Sequence, residues 1–197
     1  MGDIKSAREI AMEKIEKIGE PTEGERLKWK YVPEGEKIAA IYLKQDAELS
    51  AELSKYEKKV LPYVNAGVSD VLIKNITLPK EDTARRNNKR AMDGLKSIKI
   101  DKVAVENVFS KMRRLFTHYA EQGEQQKKQA YAALKAEFEA KVEQAVKQQL
   151  GTSAAGIRVD VEKQPQFQEE WYKMRTRFDA QYLKLLDEYK QELAAIS

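Results

Sequence analysis

The chain has 197 residues, of which 35% are charged and 42% hydrophobic, and its formal net charge is +4. This mixture, with nine glycines and five prolines, is typical of long solvated helices rather than of an α/β core. The chain has no cysteine, which excludes disulfides, cysteine-ligated zinc, iron–sulfur clusters and thiol catalysis. Its longest apolar run, Ile38 to Leu43, falls far short of the roughly 20 residues that a membrane span needs. We therefore expect a cytoplasmic protein that does not enter a membrane.

The first predicted element is a helix over residues 6–18. Ser6 and Glu9 have the spacing of a capping box, in which each side chain satisfies a free backbone N–H at the start of a helix. Residues 19–35 predict a linker or arm, because glycines and prolines interrupt them. Within this arm, apolar and basic residues alternate over 27–32, which indicates a short strand or an extended segment.

A second helix is predicted over residues 36–63. Its apolar residues recur every seven positions, at Tyr42, Leu49, Tyr56 and Tyr63, and so form one stripe. Pro62 is expected to kink or stop the last turn, and residues 65–67 are expected to break the helix. The short apolar segment that follows, at 71–78, fits either a helical turn or a strand.

The next segment combines the strongest basic charge of the chain with its longest predicted helix. Residues 84–118 hold ten basic and three acidic residues, a net charge of +7, which leaves −3 for the rest of the chain. The helix is predicted over 101–150 with Asp101 as its N-cap, and its apolar stripe fades near Gly123. We favour one helix with a soft spot at Gly123, and two helices broken at 121–126 are the alternative.

The last predicted helix opens at Pro165. Its apolar residues recur at a mean spacing of about 3.6, the period of one buried helical stripe: Phe167, Trp171, Met174, Phe178, Tyr182, Leu185, Tyr189, Leu193 and Ile196. This stripe should pack antiparallel on the helix over 101–150, with the helix over 36–63 as a third partner. Between the two long helices, residues 157–161 indicate a short extended segment.

These elements predict an all-α fold: an elongated antiparallel helical bundle or hairpin with long charged helices, and one or two very short strands at most. We expect one domain over residues 1–197. Its parts are an N-terminal helix and arm (1–35), helix two and a short apolar segment (36–79), a basic region and long helix (84–150), and a C-terminal helix (157–197). The oligomeric state stays open, because a stripe that closes within one chain and one that closes between two chains have the same pattern.

Several short stretches resemble a bacterial family of helical proteins of unknown function. The first is Met1-Gly2-Asp3-Ile4-Lys5-Ser6, which resembles the start of such proteins. Further resemblances lie in the middle of the chain and near its end: Val71-Leu72-Ile73, Asn75 to Pro79, Leu150-Gly151, Ile157 to Asp160, Pro165-Gln166-Phe167, Gln181-Tyr182 and Lys190 to Leu193. The resemblance implies a helical, bacterial, cytosolic protein, and it transfers no active site.

The strongest local signal is the run Arg85-Arg86-Asn87-Asn88-Lys89-Arg90, in a helix predicted to be exposed. Basic and amide side chains suit phosphate oxygens by charge and by hydrogen bonding. The alternative is a solvated helix face that pairs with acidic residues elsewhere in the chain. No aromatic residue interrupts the run, so base stacking is not indicated. The candidate residues for binding phosphate or a partner are Arg85, Arg86, Lys89, Arg90, Arg113 and Arg114.

His118 is the only histidine, which excludes a two-histidine metal site and leaves a catalytic triad without support. We predict no catalytic residue, no metal ligand and no cofactor. The predicted function is that of a non-enzymatic interaction or scaffold protein, whose amphipathic helices bind a protein partner or a second copy of the chain. The alternative is a nucleic-acid- or ribosome-associated factor that contacts phosphates through residues 85–114.

Overall fold

The computed structural model describes residues 21–45, 47–150 and 160–196, and for 149 and 150 the backbone alone. No described residue belongs to a strand, and the predicted all-α class is confirmed. The chain divides into two compact units, Met1–Ile73 and Lys74–Ser197. The prediction of one domain over 1–197 stays a prediction, and the helix predicted over 6–18 lies outside the described residues.

Among the described residues of the first unit, the first helix is α1, Glu23–Lys44. A capping box starts it: the Thr22 N–H donates to Glu25 Oε2 at 2.7 Å, and the Glu25 N–H donates to Thr22 Oγ1 at 3.3 Å. The predicted arm at 19–35 and strand at 27–32 are therefore wrong for the described residues. Pro33 lies within α1, where its ring removes one backbone donor without ending the helix.

Two further helices follow, α2 at Leu49–Leu53 and α3 at Leu61–Asn75. The single helix predicted over 36–63 is wrong, because the chain leaves the helical conformation after α1 and again after α2. The break predicted at 65–67 is wrong as well, since these residues lie inside α3. Pro62 lies in the first turn of α3. Backbone N–H groups in the first turn have no intrahelical acceptor, so the missing N–H of proline costs this helix no hydrogen bond. No strand forms at 71–78, because α3 continues to Asn75 and irregular chain follows.

Helices α1 and α3 approach each other backbone to backbone at two buried glycines. A Cβ atom on Gly35 would lie 2.0 Å from the carbonyl oxygen of Val64, and one on Gly67 would lie 2.0 Å from that of Val32. Each helix thus supplies the glycine that admits the backbone of the other. Both glycines were interpreted as helix breakers, yet close packing is what requires them here.

The described part of the second unit contains four helices and two short turns. In chain order they are α4 (Asp82–Ile98), α5 (Lys102–His118), a π-helical turn (Tyr119–Gly123), α6 (Glu124–Leu150), a 3₁₀ turn (Val161–Lys163) and α7 (Pro165–Ala195). Asp101 caps α5 as predicted, since its Oδ1 accepts the Ala104 N–H at 2.9 Å. The chain stays helical from α5 through the π-turn to α6, which confirms the favoured prediction of one continuous helix. The predicted soft spot, Gly123, is the last residue of the π-turn. Of the segment predicted at 157–161, residues 157–159 lie outside the described residues, and Val161 begins the 3₁₀ turn.

Helix α7 runs antiparallel to α5 and α6, which confirms the predicted hairpin. Lys111 of α5 pairs with Glu192 near the end of α7 at 2.7 Å, whereas Tyr131 of α6 meets Trp171 near its start, with ring centroids 5.0 Å apart. Within the second unit, the third helix in this packing is α4, which contacts α5.

The predicted stripe on α7 is wrong at two positions. Leu186 is buried with 2% of its surface exposed, whereas the predicted Leu185 is 40% exposed. Asp179, a charged residue that the stripe left out, is 7% exposed. The buried face of α7 therefore contains Asp179, Tyr182, Leu186 and Leu193. The spacing of these residues is that of a helix face that packs against a neighbouring helix.

Candidate functional site

The basic cluster lies on α4, and a single buried side chain fixes this helix to the preceding segment. The Asn88 side chain accepts the Thr77 N–H at 2.8 Å and donates to the Thr77 carbonyl oxygen at 2.6 Å. Asn88 is 3% exposed, so its amide, unlike the basic side chains around it, is not accessible to a phosphate from solution. It instead satisfies the backbone of the irregular chain that leads into α4.

Three of the six predicted binding residues line one cleft between α4 and α5, of about 840 Å³. We call it the α4–α5 groove. Arg85 and Lys89 lie on its α4 side, and Arg113 lies on its α5 side. Its apolar lining consists of Pro79, Met92, Phe109, Phe116 and Ala120. The groove therefore combines an apolar floor with charged rims.

One ion pair crosses this groove and a second lies along its α5 side, and together they neutralise part of its basic charge. Glu106 accepts hydrogen bonds from Lys96, at 3.0 Å, and from Arg113. The hydrogen bond from Lys96, followed by that from Arg113, lowers the pKa of Glu106 below its ordinary value. Arg113 is thus held by a carboxylate, and it is less available to an external phosphate than the sequence suggested.

The other three predicted residues, Arg86, Arg90 and Arg114, lie outside the set of described residues that line the groove. Arg86 and Arg114 have exposed side chains, and Arg90 is half-buried. The predicted patch is therefore divided between the groove and the outer surfaces of α4 and α5.

A second site, which was not predicted from the sequence, centres on the π-turn. Asp179 of α7 accepts three hydrogen bonds there: Lys80 donates to Oδ2 at 2.5 Å, and Lys127 and the Tyr119 hydroxyl donate to Oδ1 at 2.9 and 3.0 Å. Lys127 also donates to the Tyr119 hydroxyl at 2.7 Å and to Glu124 at 3.1 Å. These groups join α6, the π-turn and α7 in one network, and π-turns are frequent at functional sites.

Burial and hydrogen bonding act in opposite directions on the charges of this network. Burial alone would raise the pKa of Asp179, but the hydrogen bonds from Lys80, Lys127 and Tyr119 outweigh it and lower that pKa. Burial alone would lower the pKa of Lys127, but the hydrogen bonds to Tyr119, Asp179 and Glu124 outweigh it and raise that pKa. Both groups therefore stay charged inside the protein.

The network forms one wall of a cleft of about 770 Å³ between the π-turn, the start of α6 and α7. We call it the π-turn cleft. Beside it, the Tyr182 hydroxyl and His118 Nδ1 share a hydrogen bond of 3.0 Å. The sequence carries two signals of this site: Asp179 interrupts the apolar face of the last helix, and the stripe of the long helix fades where Lys127 stands.

The described part of the chain has neither a membrane-spanning helix nor a cluster of metal-ligating side chains. None of its helices combines the length with the apolar character that crossing a membrane requires. Its histidine, aspartate and glutamate side chains nowhere form a group of three that could hold a metal ion.

Comparison with known proteins gives a family. No curated protein and no solved structure matches the chain. A family model matches residues 50–195, which include both clefts and all six predicted binding residues. On this match the chain belongs to a family of unknown function (DUF6657).

Proposed function

We propose that this protein is a non-enzymatic interaction protein, and that its α4–α5 groove binds an amphipathic helix of a protein partner. The observation that carries the proposal is the apolar floor of the groove between two charged rims. Phe116 on this floor is half-buried, so a docking side chain can still cover it. In keeping with the sequence resemblance, we place this binding function in the bacterial cytoplasm.

The shape of the groove suits a helix better than an extended peptide. Helices α4 and α5 pack against each other, and only three residues connect them. Two packed helices leave a groove between their surfaces, into which the apolar face of a third helix fits. The part of α4 that lines the groove, from Arg85 to Lys96, is about 18 Å long at 1.5 Å per residue, which matches about three helical turns.

The two rims of the groove differ in charge, which predicts the orientation and chemistry of the partner. The α4 rim carries three basic residues and one acidic residue, whereas the opposite rim, on α5 and the π-turn, carries one basic and two acidic residues: Arg85, Lys89, Lys96 and Asp93 on α4, and Arg113, Glu106 and Glu121 opposite. A partner helix with an acidic edge along α4 and a basic edge along the opposite rim satisfies both rims. Complementary charge of this kind sets register and association rate more than affinity.

Site-specific crosslinking tests this proposal. With the substitution Thr117→p-benzoylphenylalanine at the groove, irradiated native cells should yield one crosslinked partner peptide that has an apolar face and an acidic edge. Lys89→Glu should lower the yield about tenfold, because it places like charges together. Arg86→Glu is the matched control, with the same charge reversal on the same helix outside the groove, and it should keep the yield. Equal losses in the two variants would contradict binding in the groove.

The second candidate function is binding to the phosphate backbone of a nucleic acid. One observation favours it: Arg85, Arg86 and Lys89 are exposed on α4, and within the described chain Arg86 forms no ion pair. Fluorescence anisotropy with a duplex RNA should then show affinity that falls steeply between 50 and 200 mM salt. Arg86→Glu should weaken this binding as much as Lys89→Glu does. Affinity that does not change with salt would exclude the candidate.

A further inference from the structure

The π-turn cleft has the size of a small-molecule site. Its volume of about 770 Å³ lies within the range of roughly 300–1,000 Å³ that ligand pockets occupy. Packed helices form its walls, and the ion pairs of Asp179 hold these walls together. It shares none of its lining residues with the α4–α5 groove, so an inference about it stands apart from the proposed function.

The charges of this cleft do not balance. Four basic residues and two acidic residues line it, a net charge of +2. Lys80 and Lys127 are paired with Asp179, and Lys127 also reaches Glu124. In the described structure neither Lys128 nor Arg175 has a carboxylate partner, and both side chains are exposed. The cleft therefore offers two cations to an anion from solution.

Aromatic side chains lie next to these two cations. Tyr172 is 62% exposed, and the Arg175 guanidinium lies 5.9 Å from the centre of its ring. Trp171 is half-buried and packs edge to face with Tyr131, so Tyr131 holds its orientation. An exposed ring beside a guanidinium provides a stacking surface for a flat, electron-rich group.

We propose that the π-turn cleft binds a small organic anion that carries a flat heteroaromatic ring, the chemistry of a nucleoside monophosphate. Lys128 and Arg175 bind the anionic group. Tyr172 and Trp171 contact the ring. The buried network of Asp179, Lys127 and Tyr119 keeps α6 and α7 at the separation that the ring requires.

Tryptophan fluorescence provides the test, with AMP as the probe. The chain has two tryptophans, so the exposed Trp29 is first replaced by Trp29→Phe to leave Trp171 as the reporter. AMP should change the Trp171 emission with saturation below the millimolar range. Adenosine and inorganic phosphate should each bind at least about tenfold more weakly, because each lacks one of the two contacts.

Two variants locate the binding. Arg175→Gln should weaken AMP binding about tenfold, the loss expected for one charged hydrogen bond. Arg177→Gln is the matched control, since Arg177 is exposed on the same helix outside the cleft, and it should change affinity less than about twofold. The proposal is overturned if AMP gives no saturable change, if Arg175→Gln binds AMP like the parent, or if phosphate alone binds as tightly as AMP. None of these results bears on the α4–α5 groove.

Discussion

Alanine at Gly35 or Gly67 should lower the free energy of unfolding of the first unit by about 3 kcal/mol, the upper end of the usual range for overpacked sites. The added Cβ would lie 2.0 Å from a carbonyl oxygen of the opposite helix, well inside any van der Waals contact. Because the obstacle is backbone, no side-chain rotation relieves the clash, and α1 and α3 must separate. Urea denaturation followed by circular dichroism, with amide hydrogen exchange in residues 61–73, measures this loss.

Gly24→Ala is the matched control, because it adds the same atom to the same helix. The atom nearest to its Cβ would be the Tyr63 hydroxyl oxygen at 3.4 Å, an ordinary contact. Alanine is a better helix former than glycine by up to about 1 kcal/mol, so this variant should be as stable as the parent or more stable. Equal denaturation midpoints for all three variants would contradict the close backbone approach of α1 and α3.

Asp179→Asn should lower the free energy of unfolding of the second unit by about 3–5 kcal/mol. The amide keeps the volume of the carboxylate but removes its charge from Lys127, whose side chain is only 10% exposed. A buried ammonium that loses its main counter-ion accounts for this cost. Asp187→Asn, on the exposed face of the same helix, should change stability by less than about 0.5 kcal/mol in the same denaturation experiment.

The same network should give stability a defined dependence on pH. The folded pKa of Asp179 is lowered, so in acid the unfolded chain binds its proton first. The stabilisation by Asp179 is therefore full above its unfolded pKa of about 4 and is lost as the pH falls through the folded pKa. Denaturation at pH 7 and at pH 3 should show a difference between the parent and Asp179→Asn that shrinks in acid. An unchanged difference would show that the charge of Asp179 is not what stabilises the network.

The second unit could be predicted in large part because its signals are local. Asp101 and Pro165 mark helix starts, and the apolar stripes of 101–150 and of the last helix continue over many turns. The exact buried face was harder to predict, since Leu185 and Leu186 are both apolar. Which of the two is buried depends on the helix that packs against them, and a single stripe does not contain that information.

The first unit was predicted poorly because tertiary contacts decide its helices. Gly35 and Gly67 have the local pattern of breakers, and the backbone approach that requires them joins residues about thirty positions apart. The seven-residue repeat from Tyr42 to Tyr63 has the spacing of one helical stripe, but the structure divides this segment among separate helices. The capping box at Thr22 and Glu25 was present in the sequence, and it was a stronger signal than the alternation at 27–32.

In the candidate sites too, local features could be predicted from the sequence and tertiary contacts could not. Basic residues of the groove could be found from composition, because charge clusters are visible without a fold. The pairing of Arg113 with Glu106, and the burial of Asn88 against Thr77, depend on three-dimensional contacts. The resemblance to an uncharacterised family is confirmed, over residues 50–195, and this range does not include the N-terminal motif that first indicated it.

The π-turn also determines whether the helix can lose a residue at this point without a change in its buried face. Tyr119 and Lys127 are eight residues apart, and on a regular α-helix such residues point about 80° away from each other. A π-turn contains about one residue more than an α-turn, which brings Lys127 back to the face that Tyr119 shares. A chain with one residue fewer between them would present the same face through an unbroken α-helix. Deletion of one residue at 119–123 can therefore leave the hairpin in register on both sides.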